Sequence, residues 1–224
     1  MKTARSIRGM SDILPEESRC YQFVESVFRD VLHSYGYDEL RMPIVEYAEL
    51  FKRSIGLETD IVEKEMYAFP DRSDELLCLR PEGTAGCVRA AIQNGLINQG
   101  VPNRLWYMGP MFRYERPQKG RQRQFHQVGL EIFGAENAEV ELEIMLLCDR
   151  IWRNLNIECL VELQINTIGD SDSRKNYVVS LTSYLEKYCD DLDDDSKRRL
   201  HTNPLRILDS KDDKTQEILS GAPT

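Results

Sequence analysis

The chain has 224 residues and a mass of 26.0 kDa, which is room for one large domain or one and a half ordinary ones. Hydrophobic residues make up 41% and charged residues 30%, a globular balance that argues against global disorder. With 29 Lys and Arg against 38 Asp and Glu the net charge is −9, so nucleic acid would need a local basic patch, and no apolar run approaches the ~20 residues of a membrane helix.

The first ten residues hold Lys2, Arg5 and Arg8 with no apolar stretch after them, which predicts no secretory leader and a cytoplasmic protein. Pro15-Glu-Glu opens a helix, with proline in the first turn and acids at the positive end of the dipole. Tyr21, Val24, Val27, Phe28, Val31 and Tyr35 fall on one helical stripe, and Gly36 closes it. Tyr37 to Val45 alternates and reads as one strand, placed at an edge or interface by Pro43. The segment from Gly56 to Tyr67 is a candidate cover over a site, without a strong physical signal. Leu76–Leu79 reads as a short strand, Arg80-Pro-Glu-Gly as a break, and Thr84 as the N-cap of a helix running to about Asn94.

Leu105–Met108 is read as a strand ended by Gly109-Pro110. Met111 to Arg116 and Gln124 to Phe133 follow as two strands, with the loop from Pro117 to Arg123 making a hairpin. Val140, Ile144, Leu147, Cys148 and Ile151 form a second helical stripe, and Cys159, Val161, Leu163 and Ile165 alternate as a strand. Beyond Gly169 the chain turns helical and acidic, and the run from Asp190 to Asp195 reads as a solvated helix end or loop. A subdomain boundary is placed near 170. Strands linked too closely for parallel pairing predict an α+β fold, an antiparallel β-sheet flanked by helices. The six cysteines, at 20, 78, 87, 148, 159 and 189, contain no C-x-x-C pair and read as small buried hydrophobes. With histidines only at 33, 126 and 201, a structural zinc site has little support.

The hairpin carries the chemistry. Alternation puts His126, Val128, Leu130 and Ile132 on one face of its second strand, toward helices, and Phe125, Gln127, Gly129, Glu131 and Phe133 on the other. Arg113 and Glu115 share a face of the first strand, so Arg113, Glu115, Gln127 and Glu131 can line one surface. Gly129 would leave a space there, between polar groups and aromatic rings: a floor for a small charged molecule with a flat ring. The same alternation also fits the solvent face of a sheet, although Phe125 and Phe133 sit poorly in water. Arg113, Arg116, Lys119, Arg121 and Arg123 make a local basic patch, suited to phosphates or simply a solvated turn. Glu82 and Thr84 could meet an ammonium group and an acceptor, or merely cap a helix. No P-loop, G-x-G-x-x-G or Ser/His/Asp spacing is present.

Phe112-Arg-Tyr-Glu resembles motif 2 of the class II aminoacyl-tRNA synthetases, and Gly36 to Pro43 resembles their motif 1. More narrowly, Ile7-Arg-Gly-Met-Ser-Asp, Leu79-Arg-Pro-Glu-Gly-Thr-Ala, Arg116-Pro-Gln-Lys-Gly-Arg and Arg123-Gln-Phe-His-Gln-Val-Gly-Leu-Glu are similar to bacterial histidyl-tRNA synthetases. The likeness runs from near residue 5 to the end, through Thr202-Asn-Pro-Leu-Arg-Ile-Leu-Asp-Ser-Lys. The resemblance implies a ligase that joins L-histidine and ATP as histidyl-adenylate and passes the histidyl group to the 3′ end of tRNA(His), with Mg²⁺ on the phosphates. It implies catalytic roles for Arg113 and Gln127, and a histidine site of Glu82, Gly83, Thr84, Arg113, Gln127 and Glu131. ATP would meet Arg113, Glu115, Arg121 and Phe125, and the tRNA acceptor end would meet Arg116 and Gln118. No protein ligand to a metal is assigned. A homodimer through motif 1 is implied.

The resemblance makes residues 1–170 the catalytic core and 171–224 the start of a helical insertion. Motif 3, with a further arginine and tyrosine for histidine, and the anticodon-binding domain are expected beyond Thr224, so the chain alone is expected to be weakly active or inactive. Two other readings compete. The regulatory subunit of ATP phosphoribosyltransferase resembles the same catalytic domain without charging tRNA. A plain RNA-binding module would use the basic loop alone.

Overall fold

The computed structural model describes residues 4–55, 59, 61–97, 101–135, 137–165 and 169–223. They fall into two compact units, Met1–Val161 and Glu162–Thr224. Among the described residues no helix is long and apolar enough to cross a membrane.

In the first unit helix α1 spans Pro15–Ser34, with Gly36 at φ +76° turning the chain out of it. Val27, Val31 and Leu32 are its buried face, while Val24 of the expected stripe keeps over a third of its surface exposed. The segment after it is not one strand. Asp38–Glu39 (β1) and Val45–Tyr47 (β2) belong to different sheets. Arg80 divides them: its guanidinium donates to Met42 O at 2.9 Å and Pro43 O at 3.3 Å, and its N–H to Ile44 O at 2.9 Å. Carbonyls spent on a side chain are lost to a ladder.

The small sheet has the order β2-β4-β3, all antiparallel, with β3 at Ala68–Pro70 and β4 at Leu76–Leu79. Helix α2 (Ala48–Ile55) buries Ala48 and Phe51 against Cys78. The large sheet has the order β1-β5-β6, with β5 at Asn103–Phe112 and β6 at Gln124–Phe133. The β5–β6 pair is antiparallel over ten residues, from Asn103↔Phe133 to Phe112↔Gln124, and the short β1–β5 pair is parallel.

Gly109-Pro110 therefore does not end a strand; β5 runs through it. The reason is local. β1 covers only Leu105 and Trp106, so β5 has a free side further on. Trp106 O accepts from Leu40 N on that side, Pro110 O accepts from Arg80 Nε at 2.9 Å, and Phe112 N donates to Arg80 O. The N–H that proline lacks would have pointed there, away from β6, so the ladder loses nothing.

Helices α1 and α4 (Ala138–Asn154) cover one face of the large sheet, where Trp106, Leu147 and Ile151 are buried with Met108, Val128, Leu130 and Ile132 packed on them. Arg104 clasps Glu143 with two bonds of 2.9 and 3.0 Å and fixes α4 to β5. Helix α3 (Thr84–Gln93) covers part of the other face through Cys87 and Ala91. This is the α+β architecture read from the sequence.

The alternation at 159–165 does not yield a strand. Glu158–Leu160 is a 3₁₀ turn, and Leu160, Leu163 and Ile165 are exposed. Alternation becomes a strand only where another strand takes its ladder, and no described strand pairs here.

The second unit has its own core. Helices α5 (Ser171–Leu185), α6 (Asp194–Arg199) and α7 (Asp213–Leu219) surround Leu181, Leu185, Leu192, Leu200 and Ile207. The acidic run is not wholly solvated. Asp193 caps α6 and is held by Ser196 Oγ at 2.6 Å, Ser210 Oγ at 2.9 Å and Thr215 Oγ1 at 3.0 Å. Burial works to raise its carboxyl, but these bonds and the Ser196 N–H outweigh that and hold it well below the usual carboxylate range. The cysteines also divide: Cys78 and Cys87 are buried, whereas Cys20, Cys159 and Cys189 are exposed, and all six are free.

Candidate active site

The face of β6 read as a pocket floor does carry Phe125, Gln127, Gly129, Glu131 and Phe133, and its register sets Tyr107 beside Gly129 and Leu105 beside Glu131. Phe125 and Phe133 pack with Leu105, Tyr107 and Met111, so this is not a plain solvent face. Nor is the space at Gly129 open. A Cβ on Gly129 would lie 2.2 Å from the Tyr107 ring, and one on Gly83 would lie 2.0 Å from it. The ring thus needs glycine on both sides. That is a packing reason for Gly83 as well as Gly129.

The Tyr107 hydroxyl donates to Glu131 Oε1 at 3.3 Å and lies 3.4 Å from Thr84 Oγ1. Burial, and then the Glu131 and Glu82 carboxylates, push this hydroxyl up to about 12 against the hydrogen bond with Thr84, so it stays protonated at neutral pH. Thr84 is the first residue of α3 rather than its cap. Gly83 occupies the cap position, and the Glu82 carboxylate accepts from the N–H groups of Thr84 and of Ala85, the latter at 3.1 Å. A carboxylate can do at the helix start what a threonine hydroxyl was expected to do. Glu82, Thr84, Tyr107 and Glu131 therefore form one polar run from α3 across the sheet.

Arg113 leaves the end of β5 and donates through Nε to Pro81 O at 2.9 Å, with its guanidinium 5.1 Å from the centre of the Phe125 ring. Glu82 and Arg113 are thereby linked through the Arg80-Pro81 break. Gln127 is half-buried on the same face, and its Oε1 is buried with no hydrogen-bond partner among the described residues. Buried acceptors of this kind are rare and costly, which suits a ligand N–H there.

The basic loop is less free than its composition suggests. Arg123 stacks 3.9 Å over the Tyr114 ring and donates through Nε to Glu115 O at 3.1 Å. Arg121 faces Glu115 at 3.4 Å. Gln118 and Arg121 exchange backbone bonds of 3.1 and 2.9 Å around a tip where Gly120 has φ +79°. Arg116, Gln118, Lys119 and Arg121 are exposed. The structure joins Glu82, Gly83, Thr84, Arg113, Phe125 and Glu131 by direct contact, some of it through Tyr107 and Pro81; Arg116 and Gln118 stand apart in the loop. No group of three or more His, Cys, Asp or Glu able to hold a metal is found among the described residues.

Two residues escaped the sequence reading. Tyr107 lay in a run taken only as a strand, and its role depends on a cross-strand neighbour. Arg80 lay in a break, and its burial and its carbonyl partners at Met42, Pro43 and Pro110 depend on residues 30 or more positions away that no local pattern marks.

Many solved structures align with the chain, two of them over nearly all of it as follows. An apo histidyl-tRNA synthetase from S. aureus matches at 34% identity with a TM-score of 0.74, over 99% of this chain and 56% of its own length. A Bacillus halodurans protein described as an ATP phosphoribosyltransferase regulatory subunit/histidyl-tRNA synthetase matches at 18% identity and a TM-score of 0.60, over 100% of this chain and 60% of its own, a likeness of fold alone. The chain thus spans little more than half of either relative. The histidyl-tRNA synthetase family profile matches residues 9–169. That stretch runs through α1, both sheets and the whole hairpin, so it takes in every residue of the polar run, and the chain belongs to the histidyl-tRNA synthetase family.

Proposed function

We propose that the chain carries the amino-acid and nucleotide site of a ligase that activates L-histidine with ATP and charges tRNA(His). The observation that carries this reading is the polar run Glu82–Thr84–Tyr107–Glu131 beside Arg113. A carboxylate whose one oxygen is occupied by Tyr107 has the other for an imidazole N–H, which fixes the ring's tautomer. Glu82, the Gly83–Thr84 turn and Gln127 would surround the amino and carboxylate ends of histidine. Glu115 would lie near the adenine and Phe125 would stack on it.

In adenylation a histidine carboxylate oxygen attacks the α-phosphorus and the bond to pyrophosphate breaks. Arg113 would bridge the incoming carboxylate and the α-phosphate, where negative charge builds. Arg121 would reach the outer phosphates by exchanging the Glu115 carboxylate for them. Mg²⁺, when bound, would neutralise phosphate charge, and such ions take most of their ligands from phosphates and water. Arg116 and Gln118, exposed in the loop, would meet the acceptor end of tRNA.

On this reading residues 1–170 are the catalytic core and 171–224 begin a helical insertion. The protein is cytoplasmic, and Gly36–Pro43 lies in a homodimer interface. The test is amino-acid-dependent ATP–pyrophosphate exchange by the whole gene product, offered all twenty amino acids, with this chain alongside. Exchange with histidine only supports the ligase. No exchange from folded protein turns the reading to the regulatory paralogue, whose fold the B. halodurans likeness shares.

A further inference from the structure

The Ile7-Arg-Gly-Met turn has no part in the site so far, yet it sits on the base of the basic loop. Met10 N donates to Ile7 O at 2.9 Å and closes the turn, with Gly9 at φ +84°. The Gly9 carbonyl accepts two N–H groups at the foot of β6, Arg123 N at 2.7 Å and Gln124 N at 3.1 Å. The fit leaves no room for a side chain: a Cβ on Gly9 would lie 2.9 Å from both Arg123 Cγ and Pro117 Cγ.

Arg123 relays this grip. Its carbonyl accepts Arg113 N at 2.9 Å, its Nε holds Glu115 O, and its guanidinium covers Tyr114. On the other side Tyr114 N donates to Glu65 O at 2.6 Å, in the π-helical turn Ile61–Glu65, and the Tyr114 ring meets Tyr67 at 5.4 Å. The stem of the loop is thus clasped from two sides by segments distant in sequence.

The geometry points to Gly9 as a positioning residue. Through its carbonyl it fixes the Arg123 backbone, and through Arg123 the start of the 113–123 loop, so that Arg113 and the loop arginines are preset for a nucleoside triphosphate. This rests on the ligase reading for its catalytic half only. The histidine end of the site, Glu82, Thr84, Tyr107 and Glu131, bonds within itself and to the start of α3 rather than to the turn, and would not feel its loss.

Two measurements on Gly9→Ala decide it. The first is the rate of trypsin cleavage after Lys119, Arg121 and Arg123 in the folded chain, which involves no catalysis. It is expected to rise at least about fivefold at these sites alone. The second is exchange kinetics of the whole gene product: KM for ATP is expected to rise at least about fivefold, with KM for histidine within about twofold of the parent. Gly95→Ala is the control, because Gly95 has φ +64° and open space around it. It imposes similar backbone strain away from the loop and should move neither readout. Should Gly9→Ala fail to fold, a chain starting at Ser11 removes the clasp without a clash and should give the same two shifts.

Unchanged cleavage at the loop overturns the proposal, as does faster cleavage at every site. A histidine KM rising in step with that of ATP overturns the catalytic half. If the parent shows no exchange at all, the ligase reading fails, and the proteolysis still decides whether Gly9 holds the loop.

Discussion

Tyr107 and Gly129 are complementary across the β5–β6 ladder: the ring of one occupies the volume that the other lacks. The hydroxyl then lands on Glu131. Packing and polarity are set by the same contact, and this makes Tyr107 a point where each can be removed separately.

Tyr107→Phe keeps the ring and deletes the donor to Glu131. Stability is expected to fall by about 0.5–1.5 kcal/mol, the usual worth of one such bond. KM for histidine in the exchange assay is expected to rise roughly tenfold while KM for ATP stays put. Gly129→Ala does the opposite, keeping the donor and overpacking the ring, at a cost of about 1–3 kcal/mol in chemical denaturation.

Glu131→Ala should abolish the preference for histidine over analogues lacking a ring N–H, because a site built to pair that group rejects others by up to ~10⁴-fold. Arg113→Ala should lower kcat for exchange by roughly 10²–10³ with histidine affinity little changed, since its charge acts where the transition state becomes more negative. Competition assays for the first and binding calorimetry for the second test these; unchanged exchange kinetics in either variant would sink its assignment.

Asp193 should make the second unit acid-sensitive. Its folded pKa lies below the unfolded value, so its contribution is present above about pH 4 and is lost as pH falls through the folded pKa. Urea titrations of the parent at pH 7 and pH 3 should show that loss. Asp193→Asn should be destabilised by about 2–4 kcal/mol at pH 7 and show a smaller further loss on acidification.

Thiol labelling should separate the cysteines. Cys20, Cys159 and Cys189 are exposed and should react first under native conditions. Burial pushes Cys78 up to about 11 and Cys87 up to about 12, aided by Glu46 and Glu131 respectively, and both should react only as the first unit opens. Mass spectrometry of timed samples would show the order, and early labelling of Cys87 would contradict the packing of α3.

The sequence by itself determined the periodic parts. The α1 and α4 stripes and the division of β6 into a helix-facing and a site-facing side follow from periods of 3.6 and 2, which neighbouring residues enforce on one another. The first strand of the hairpin, expected at Met111–Arg116, is instead Asn103–Phe112, so Arg113 and Glu115 lie beyond the ladder and share no strand face. The family resemblance of the polar break and hairpin also grouped Glu82, Arg113 and Glu131, and these residues lie along one chain of contacts through Pro81, Thr84 and Tyr107. Tertiary structure alone decided what occupies the gap at Gly129, because a glycine specifies an absence and only the register says that Tyr107 fills it. It likewise decided that Arg80 splits one alternating run between two sheets, and that β5 passes through Pro110. Each outcome depends on a hydrogen bond to a residue at least 30 positions away, which no local pattern encodes.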